Sequence, residues 1–312
     1  MLNYPFTIRN LKILQAVAEY GNFTEAAQNL YVSQPAISSQ IRELEQLLNI
    51  KLIERNRTGA RFTEAGYILL YYANQILSLC DEAYKAIDDL QTYPHGTFTL
   101  GGSQTIGLNI LPSLLNSFQS KYPATHINVH IDATSHICWS LTSGDIDIAI
   151  VGGMIPSTMK NKLQVLPFGK EEIILVTSPK NKYAEVPILD KQMLYDLRFI
   201  CLEKQSSIQQ HVTQKLESSG VNFSNLLVDI EVNSIEALKQ CLLNSDKVAF
   251  LSVSSVINEL RLGDLCWLPI KALRISRPIW LVTNPYRYQL RIIDLFLKTC
   301  LENFTNPVIE TL

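Results

Sequence analysis

A chain of 312 residues that is 47% apolar and 18% charged can bury a substantial core and has room for two or more domains, which excludes a disordered tail and a disulfide-stapled miniprotein. Its formal net charge of −2 hides a gradient: residues 1–63 carry seven Lys and Arg against five Asp and Glu, and the remainder carries 20 against 24, the sign expected of a nucleic-acid module on an acidic body. The six cysteines (Cys80, Cys138, Cys201, Cys241, Cys266, Cys300) are too scattered for a disulfide framework or a zinc site, no run approaches the roughly 18 apolar residues of a membrane span, and MLNYPFTIRN reads as neither a secretory signal nor a transit peptide, so a reducing compartment and no membrane partner are expected.

Thr7 can cap a first helix carrying Leu11, Leu14, Val17 and Ala18 on one face, with Gly21 ending it. In NFTEAAQNLYVSQPAISSQIRELEQLL, Asn22 to Leu48, two more helix starts follow: Asn22 with Glu25 in a capping-box pattern, then Ser33 with Pro35 in the first turn, where a missing N–H is no loss. Ile37, Ile41, Leu44 and Leu48 form one buried stripe, and Ala26, Ala27 and Leu30 supply small partners. The remaining face carries Gln34, Ser38 and Arg42, short polar groups followed by a cation, which suits a DNA major groove. Taken alone, the same face also suits an ordinary solvated surface. KLIERNRTGARFTEAG then reads as two short extended runs turning near Gly59, with Arg55, Arg57 and Arg61 along them beside Lys51: a wing reaching phosphates or a minor groove, or else a plain exposed hairpin.

Thr63 and Glu64 open a helix running to about Tyr93, stopped by Pro94 and Gly96. Ala65, Leu69, Tyr72, Ile76, Leu79, Ala83, Ala86 and Leu90 alternate spacings of four and three, a coiled-coil seam on a rod about 40 Å long. Pairing with its counterpart would give a dimer. From Thr97 the pattern switches to strands alternating with helices: FTLGG, a helix from about Thr105 to Tyr122, HINVHID, a helix near His136 to Leu141, then IDIAIVG. VLPFGKEEIILVTS leaves for a second subdomain with strands RFICL, VDIEV and KVAFLS and helices at Ile208–Ser218, Ile235–Leu243 and Val253–Leu260; PIWLVTN returns, and a helix from Tyr288 to Asn303 closes the chain. Two α/β lobes with two crossings leave a cleft at the carboxyl ends of the strands.

Three loops face that cleft at helix starts: GGSQT with Ser103, Gln104 and Thr105, DATSH with Thr134 and Ser135, and LEKQSS with Gln205, Ser206 and Ser207. Free N–H groups at helix starts favour a carboxylate or phosphate, although each residue alone could be a simple N-cap. Enzyme signatures are missing: GGSQTIG lacks the Lys-Ser/Thr of a P-loop, and GxSxG, HExxH and CxxC do not occur. His126 and His130 share a strand face without an evident third ligand, and Asp145 and Asp147 read as a turn cap.

The stretch FTEAAQNLYVSQPAISSQIRELEQLLNIKLIERNRTGARFTEAG closely resembles the winged helix-turn-helix signature of LysR-type transcriptional regulators, and GDIDIAIVGG resembles a strand of their effector domain. LPSLLNSFQSKYP, VNSIEALKQC and NPYRYQLRIID, with YVSQPAIS and AIDDLQ, look most like the subgroup that regulates RuBisCO genes in cyanobacteria and algal plastids. The resemblance covers essentially the whole chain. It implies an α + α/β fold: a winged helix-turn-helix domain (1–63), a dimerising linker helix (64–94) and a two-lobed periplasmic-binding-protein-like effector domain (95–312, lobe one 95–167 and 277–305, lobe two 168–276), assembled as a homodimer or homotetramer. Two departures stand out. Ser39 occupies a position where many relatives carry a basic residue, and NSDKVAF lacks the glycines many members place at that turn.

The resulting expectations are as follows. Thr24, Ser33, Gln34, Pro35, Ser38, Ser39, Arg42, Arg55, Arg57 and Arg61 contact double-stranded promoter DNA, while Ser103, Gln104, Thr105, Thr134, Ser135, Gln205, Ser206 and Ser207 hold a small anionic metabolite. No cofactor, metal or catalysis is expected. The compartment is a chloroplast stroma, with plastid encoding, or a bacterial cytoplasm. The alternatives are a regulator of another metabolic operon, or a two-lobed solute-binding or catalytic protein whose N-terminal helices contact only proteins.

Overall fold

Thr7 and Asn10 close a reciprocal capping box: the Asn10 N–H donates to Thr7 Oγ1 at 3.2 Å and the Thr7 N–H to Asn10 Oδ1 at 2.9 Å, which starts α1 (Ile8–Tyr20) at the expected residue. The computed structural model describes residues 4–56, 59–92 and 94–307, with backbone alone at 55, 56, 59 and 92. It divides into two compact units, Met1–Ile87 and Asp88–Leu312.

In the first unit, Gly21 ends α1 in the left-handed region at φ 69°. It is followed by α2 (Phe23–Asn29), α3 (Gln34–Leu48), the hairpin β1 (Ile53–Asn56) and β2 (Gly59–Phe62), and α4 (Glu64–Thr92), whose last turns fall in the second unit. Leu11, Leu14, Val17, Ala26, Ala27, Ile37, Ile41 and Leu44 meet Leu52, Phe62, Ala73 and Leu77 in one core, each large side chain contributing about 1.5–3 kcal/mol by leaving water. Thr63 Oγ1 accepts the Gly66 N–H at 3.1 Å and caps α4. Gly66 has to be glycine because a Cβ there would collide with the carbonyl of Leu52.

The seam expected along α4 is divided. Ala65, Leu69 and Ile76 pack on the unit's own core, whereas Tyr72, Leu79, Ala83 and Leu90 are exposed, as is Ile68. At about 100° per residue the helix offers two apolar faces, and the heptad pattern merges them into one.

The second unit holds one sheet ordered β4-β3-β5-β11-β6-β9-β7-β8. Lobe one contributes β3 (Gly96–Ser103), β4 (Thr125–Asp132) and β5 (Ile148–Gly152), which are parallel, with α5 (Gln104–Asn109), α6 (Leu111–Lys121) and α7 (Thr134–Ser143). β6 (Gln164–Thr177) leads into lobe two, with β7 (Arg198–Leu202), α8 (Ser207–Ser218), β8 (Leu227–Val232), α9 (Ile235–Leu243), β9 (Val248–Ser252), α10 (Val253–Leu262) and β10 (Cys266–Trp267). β11 (Ile275–Thr283) returns antiparallel to β6, and α11 (Arg291–Asn303) packs beside α6. The single helix expected from Thr105 to Tyr122 is broken at Ile110, because Pro112 in the first turn of α6 has no N–H with which to continue the α5 ladder.

β6 and β11 belong to both lobes and pair along the whole of β11, from Gln164 to Ile173 of β6, with one irregularity: Ile279 faces Gly169 and Trp280 faces Pro167, so Phe168 is extra. Its ring lies 4.5 Å from that of Phe304, Asn306 Oδ1 accepts the Lys170 N–H at 2.8 Å and the Pro307 carbonyl accepts the Glu172 N–H at 3.0 Å. Gly169 leaves the space that the Phe304 ring fills.

Candidate functional site

The first candidate surface is α3 with the turn before it. Asn22 Oδ1 accepts the Glu25 N–H at 2.8 Å, as the cap of α2 requires. Ser33 occupies the N-cap position of α3, but its side chain makes no cap hydrogen bond; its carbonyl takes the N–H groups of Ala36 and Ile37 instead. The turn between α2 and α3 is made by Tyr31 in the left-handed region at φ 54°, its ring almost fully exposed. No glycine marked that turn in the sequence.

Thr24, Ser33, Pro35, Ser39 and Arg42 are exposed and Gln34 is half-buried. Ser38 is not part of this face. It is 4% exposed, and this corrects the line Gln34–Ser38–Arg42: at about 100° per residue Ser38 lies only about 20° round the helix from buried Glu45 and about 60° from buried Ile41, whereas Arg42, a further 40° round, is exposed. Arg42 Nε reaches back to the Ser38 carbonyl at 3.2 Å.

Glu45, also on α3, is 6% exposed and ties the helix to the hairpin. Its Oε1 accepts the N–H groups of Leu52 at 2.9 Å and Ile53 at 3.2 Å, and Oε2 meets Lys51 Nζ at 2.6 Å. Burial pushes the carboxyl up, but these hydrogen bonds and the Lys51 charge outweigh it and leave it below the ordinary glutamate value. Lys51 is thus engaged within the unit. In the hairpin Arg61 is exposed and registers against Glu54, and the Ala60 N–H donates to the Gly21 carbonyl at 3.0 Å, fixing β2 to the end of α1. Arg57 and the Arg55 side chain lie outside the described residues.

The second candidate site is a cavity of about 1150 Å³ between the lobes of the second unit, and Ser103, Gln104, Thr105, Thr134, Ser135, Gln205, Ser206 and Ser207 all line it. Their roles differ. Ser103 Oγ accepts the Gly152 N–H at 3.0 Å and Thr134 Oγ1 donates to the Gly152 carbonyl at 3.2 Å, both from buried positions, so these hydroxyls fasten β3 and α7 to β5. Thr105 is 2% exposed. Gln104, Ser135 and Gln205 are exposed and Ser206 half-buried, so their polar side chains stay accessible at the cavity wall. The N-cap residues of α7 and α8, Ala133 and Ser206, make no side-chain cap bond, and both line the cavity. The first turns of two helices without a side-chain cap therefore begin at its wall.

Sequence reading missed the rest of the lining, notably Lys160, Glu203, His211 and Trp280. His211 donates from Nε2 to the Ser276 carbonyl at 2.9 Å. Burial, with the Arg277 and Lys215 charges, outweighs that bond and holds the imidazole below the ordinary histidine value. Trp280 Nε1 donates to the Gly153 carbonyl at 2.7 Å.

Beneath the cavity, β6 and β11 carry a buried ion pair: Arg277 is 1% and Glu171 0% exposed, with Nε to Oε1 at 2.5 Å. Arg277 Nη1 donates to Ser207 Oγ at 3.1 Å and Ser254 Oγ to Glu171 Oε2 at 3.3 Å, with Ser252 also on Oε2. A Cβ on Gly152 would come within 3.0 Å of Cζ of Arg277. The pair thus touches both lobes. No spacing rule could have found it, because its partners stand 106 residues apart.

Among the described residues no group of His, Cys, Asp and Glu could hold a metal ion, and no helix is long and apolar enough to cross a membrane. Residues 8–67 match the family model described as bacterial regulatory helix-turn-helix protein, lysR family, and residues 91–305 match the LysR substrate binding domain. Two relatives are each called probable RuBisCO transcriptional regulator. The one from Guillardia theta is 39% identical over 307 residues, covering 98% of this chain and 99% of that protein; the one from Chlorokybus atmophyticus is 38% identical over 310, covering 99% of each. A similarly named protein of Nostoc sp. is 38% identical over 98% of this chain and 91% of its own length. Among solved structures, full-length CbnR complexed with its target DNA has a TM-score of 0.72 at 21% identity, covering 95% of this chain and 99% of that one. A full-length OxyR variant from Pseudomonas aeruginosa has 0.71 at 18%, covering 96% and 95%.

Proposed function

Because this chain belongs to the LysR family, as a LysR-type DNA-binding transcriptional regulator, we propose that it controls RuBisCO, that is carbon-fixation, genes in response to a small anionic metabolite. The observation that carries the proposal is the end-to-end similarity, 38–39% over nearly the whole chain, to proteins called RuBisCO transcriptional regulators. The anionic class rests on the two uncapped helix starts with Lys160 at the cavity wall.

On this reading residues 1–63 bind DNA, 64–94 dimerise and 95–312 sense the metabolite. Thr24, Ser33, Gln34, Pro35, Ser39 and Arg42 face the major groove, and Arg61, with Arg55 and Arg57, holds the phosphate backbone. Exposed Ile68, Tyr72, Leu79 and Leu90 on α4 supply an apolar strip for a second copy of the helix, so the working form is a homodimer or a dimer of dimers. Gln104, Ser135, Gln205 and Ser206 hydrogen-bond the metabolite, and closing the lobes over it redistributes the DNA-binding units and with them the bend of the promoter. The chain needs no resident cofactor and performs no catalysis. Relatives in algae and in a cyanobacterium suit a plastid stroma or a bacterial cytoplasm.

Genome-wide mapping of sites bound by the native protein tests this. Occupancy upstream of RuBisCO genes is expected; occupancy confined to another operon would replace the target with that pathway, and no sequence-selective occupancy would refute the proposal.

A further inference from the structure

Two stretches far apart in sequence, AIDDLQ near the end of α4 and NPYRYQLRIID before and within α11, meet at one side chain. Asp89 is 4% exposed. Its Oδ2 accepts Arg291 Nε at 2.9 Å and the Tyr288 hydroxyl at 3.0 Å, and Arg291 Nη2 bonds the Asp89 backbone carbonyl. The partners stand 199 to 202 residues apart in sequence and all lie in the second unit.

The location explains the chemistry. A carboxylate in the last turns of a helix sits at the negative end of its dipole, and a buried carboxylate is costly unless paired. Asp89 is therefore unfavourable on α4 taken alone. It becomes favourable because Arg291 opens α11, whose N-terminus prefers an acidic neighbour, and because the same guanidinium also bonds the Asp89 backbone carbonyl in the last turns of α4. One residue thus holds a side chain and a backbone carbonyl of the same helix together through the fork of its guanidinium.

We propose that Asp89, Arg291 and Tyr288 are positioning residues, the joint by which the metabolite-sensing unit grips the linker helix and through which a rearrangement of its lobes is passed to the DNA-binding unit. This rests on the regulator reading above. The helix is continuous from Glu64 to Thr92, so its grip at one end sets what happens at the other. Weakening the joint uncouples the units without touching either binding surface.

The full-length chain carrying Asp89→Asn is compared with wild type by hydrogen exchange over the end of α4, and by nuclease protection on a duplex that the wild-type chain selects from a random pool. The expected results are exchange about tenfold faster at the end of α4, the size of a lost charged hydrogen bond, together with an altered protected length. Affinity for a random-sequence duplex should stay within about twofold, a separation that general misfolding would not produce. Tyr288→Phe should give a smaller change of the same kind. If Asp89→Asn fails to fold, Arg291→Lys keeps the charge but cannot span carboxylate and carbonyl together, and it should reproduce both effects. Unchanged exchange, an unchanged protected length, or loss of random-duplex affinity in step with the rest would overturn the joint. A wild-type chain that selects no duplex would overturn the regulator reading, and the exchange measurement would still decide the joint.

Discussion

Replacing Glu45 should loosen the recognition helix from the wing by an amount the geometry sets. Glu45→Ala strands the N–H groups of Leu52 and Ile53, on residues only 1% and 5% exposed. An unsatisfied buried donor costs about 1–3 kcal/mol, so the pair costs about 2–6 kcal/mol, a large share of the roughly 5–15 kcal/mol that holds a domain together. Glu45→Gln retains an oxygen acceptor and gives up the charge, for a loss of about 1–2 kcal/mol. Hydrogen exchange of α3 and β1 amides in the full chain at neutral pH should therefore quicken about tenfold in the Gln variant, and far more in the Ala variant. Acid provides the internal check. The folded-state carboxyl is depressed, so its contribution is complete above the ordinary glutamate value and is lost as pH falls through the depressed one. The gap between wild type and Glu45→Gln should close on acidification. Exchange within twofold of wild type in Glu45→Ala, or a gap that widens as pH falls, would refute the reasoning.

Three further outcomes are expected. Arg61→Ala should weaken binding to selected and random duplexes alike and lower the salt dependence by about one phosphate contact, whereas Gln34→Ala should mainly relax sequence preference, by about 1–3 kcal/mol; competition binding across a salt series separates them. Arg277→Met should leave Glu171 buried without its cation and cost about 3–5 kcal/mol, while Arg277→Met with Glu171→Leu should recover most of it, as read by thermal unfolding of the second unit. Cys138, Cys201 and Cys300, whose thiols burial pushes up to about 11, 12 and 12, should resist alkylation at mildly alkaline pH, with exposed Cys80 modified first in a mass-spectrometric time course.

What the sequence made visible is local. The caps at Thr7, Asn22 and Thr63, the stripe through Ile37, Ile41 and Leu44, and the alternation of strand and helix after Gly96 each rest on residues within one or two turns of each other, where spacing determines contact. The three cleft loops were found because a strand followed by small polar residues and a helix is a local pattern, and topology then gathers such loops at one edge of the sheet. Spacing misled where it came close to the helix repeat without matching it, as with Ser38, and where two faces overlapped, as along α4. Nothing local announces Glu171 beneath Arg277, Asp89 beneath Arg291, or Lys160, His211 and Trp280 on the cavity wall, because each depends on chain segments brought together by the whole fold. Tyr31 replaced the glycine that a left-handed turn usually advertises.

The extra residue at Phe168 has a mechanical meaning. Because both lobes share β6 and β11, a shift of one lobe against the other would have to be taken up in this pair of strands, whose ladder skips a rung at Phe168. The aromatic ring of Phe304 is wedged at that crease against Phe168, in the space that Gly169 leaves, so a change at any of the three would alter the fit of the two strands the lobes share.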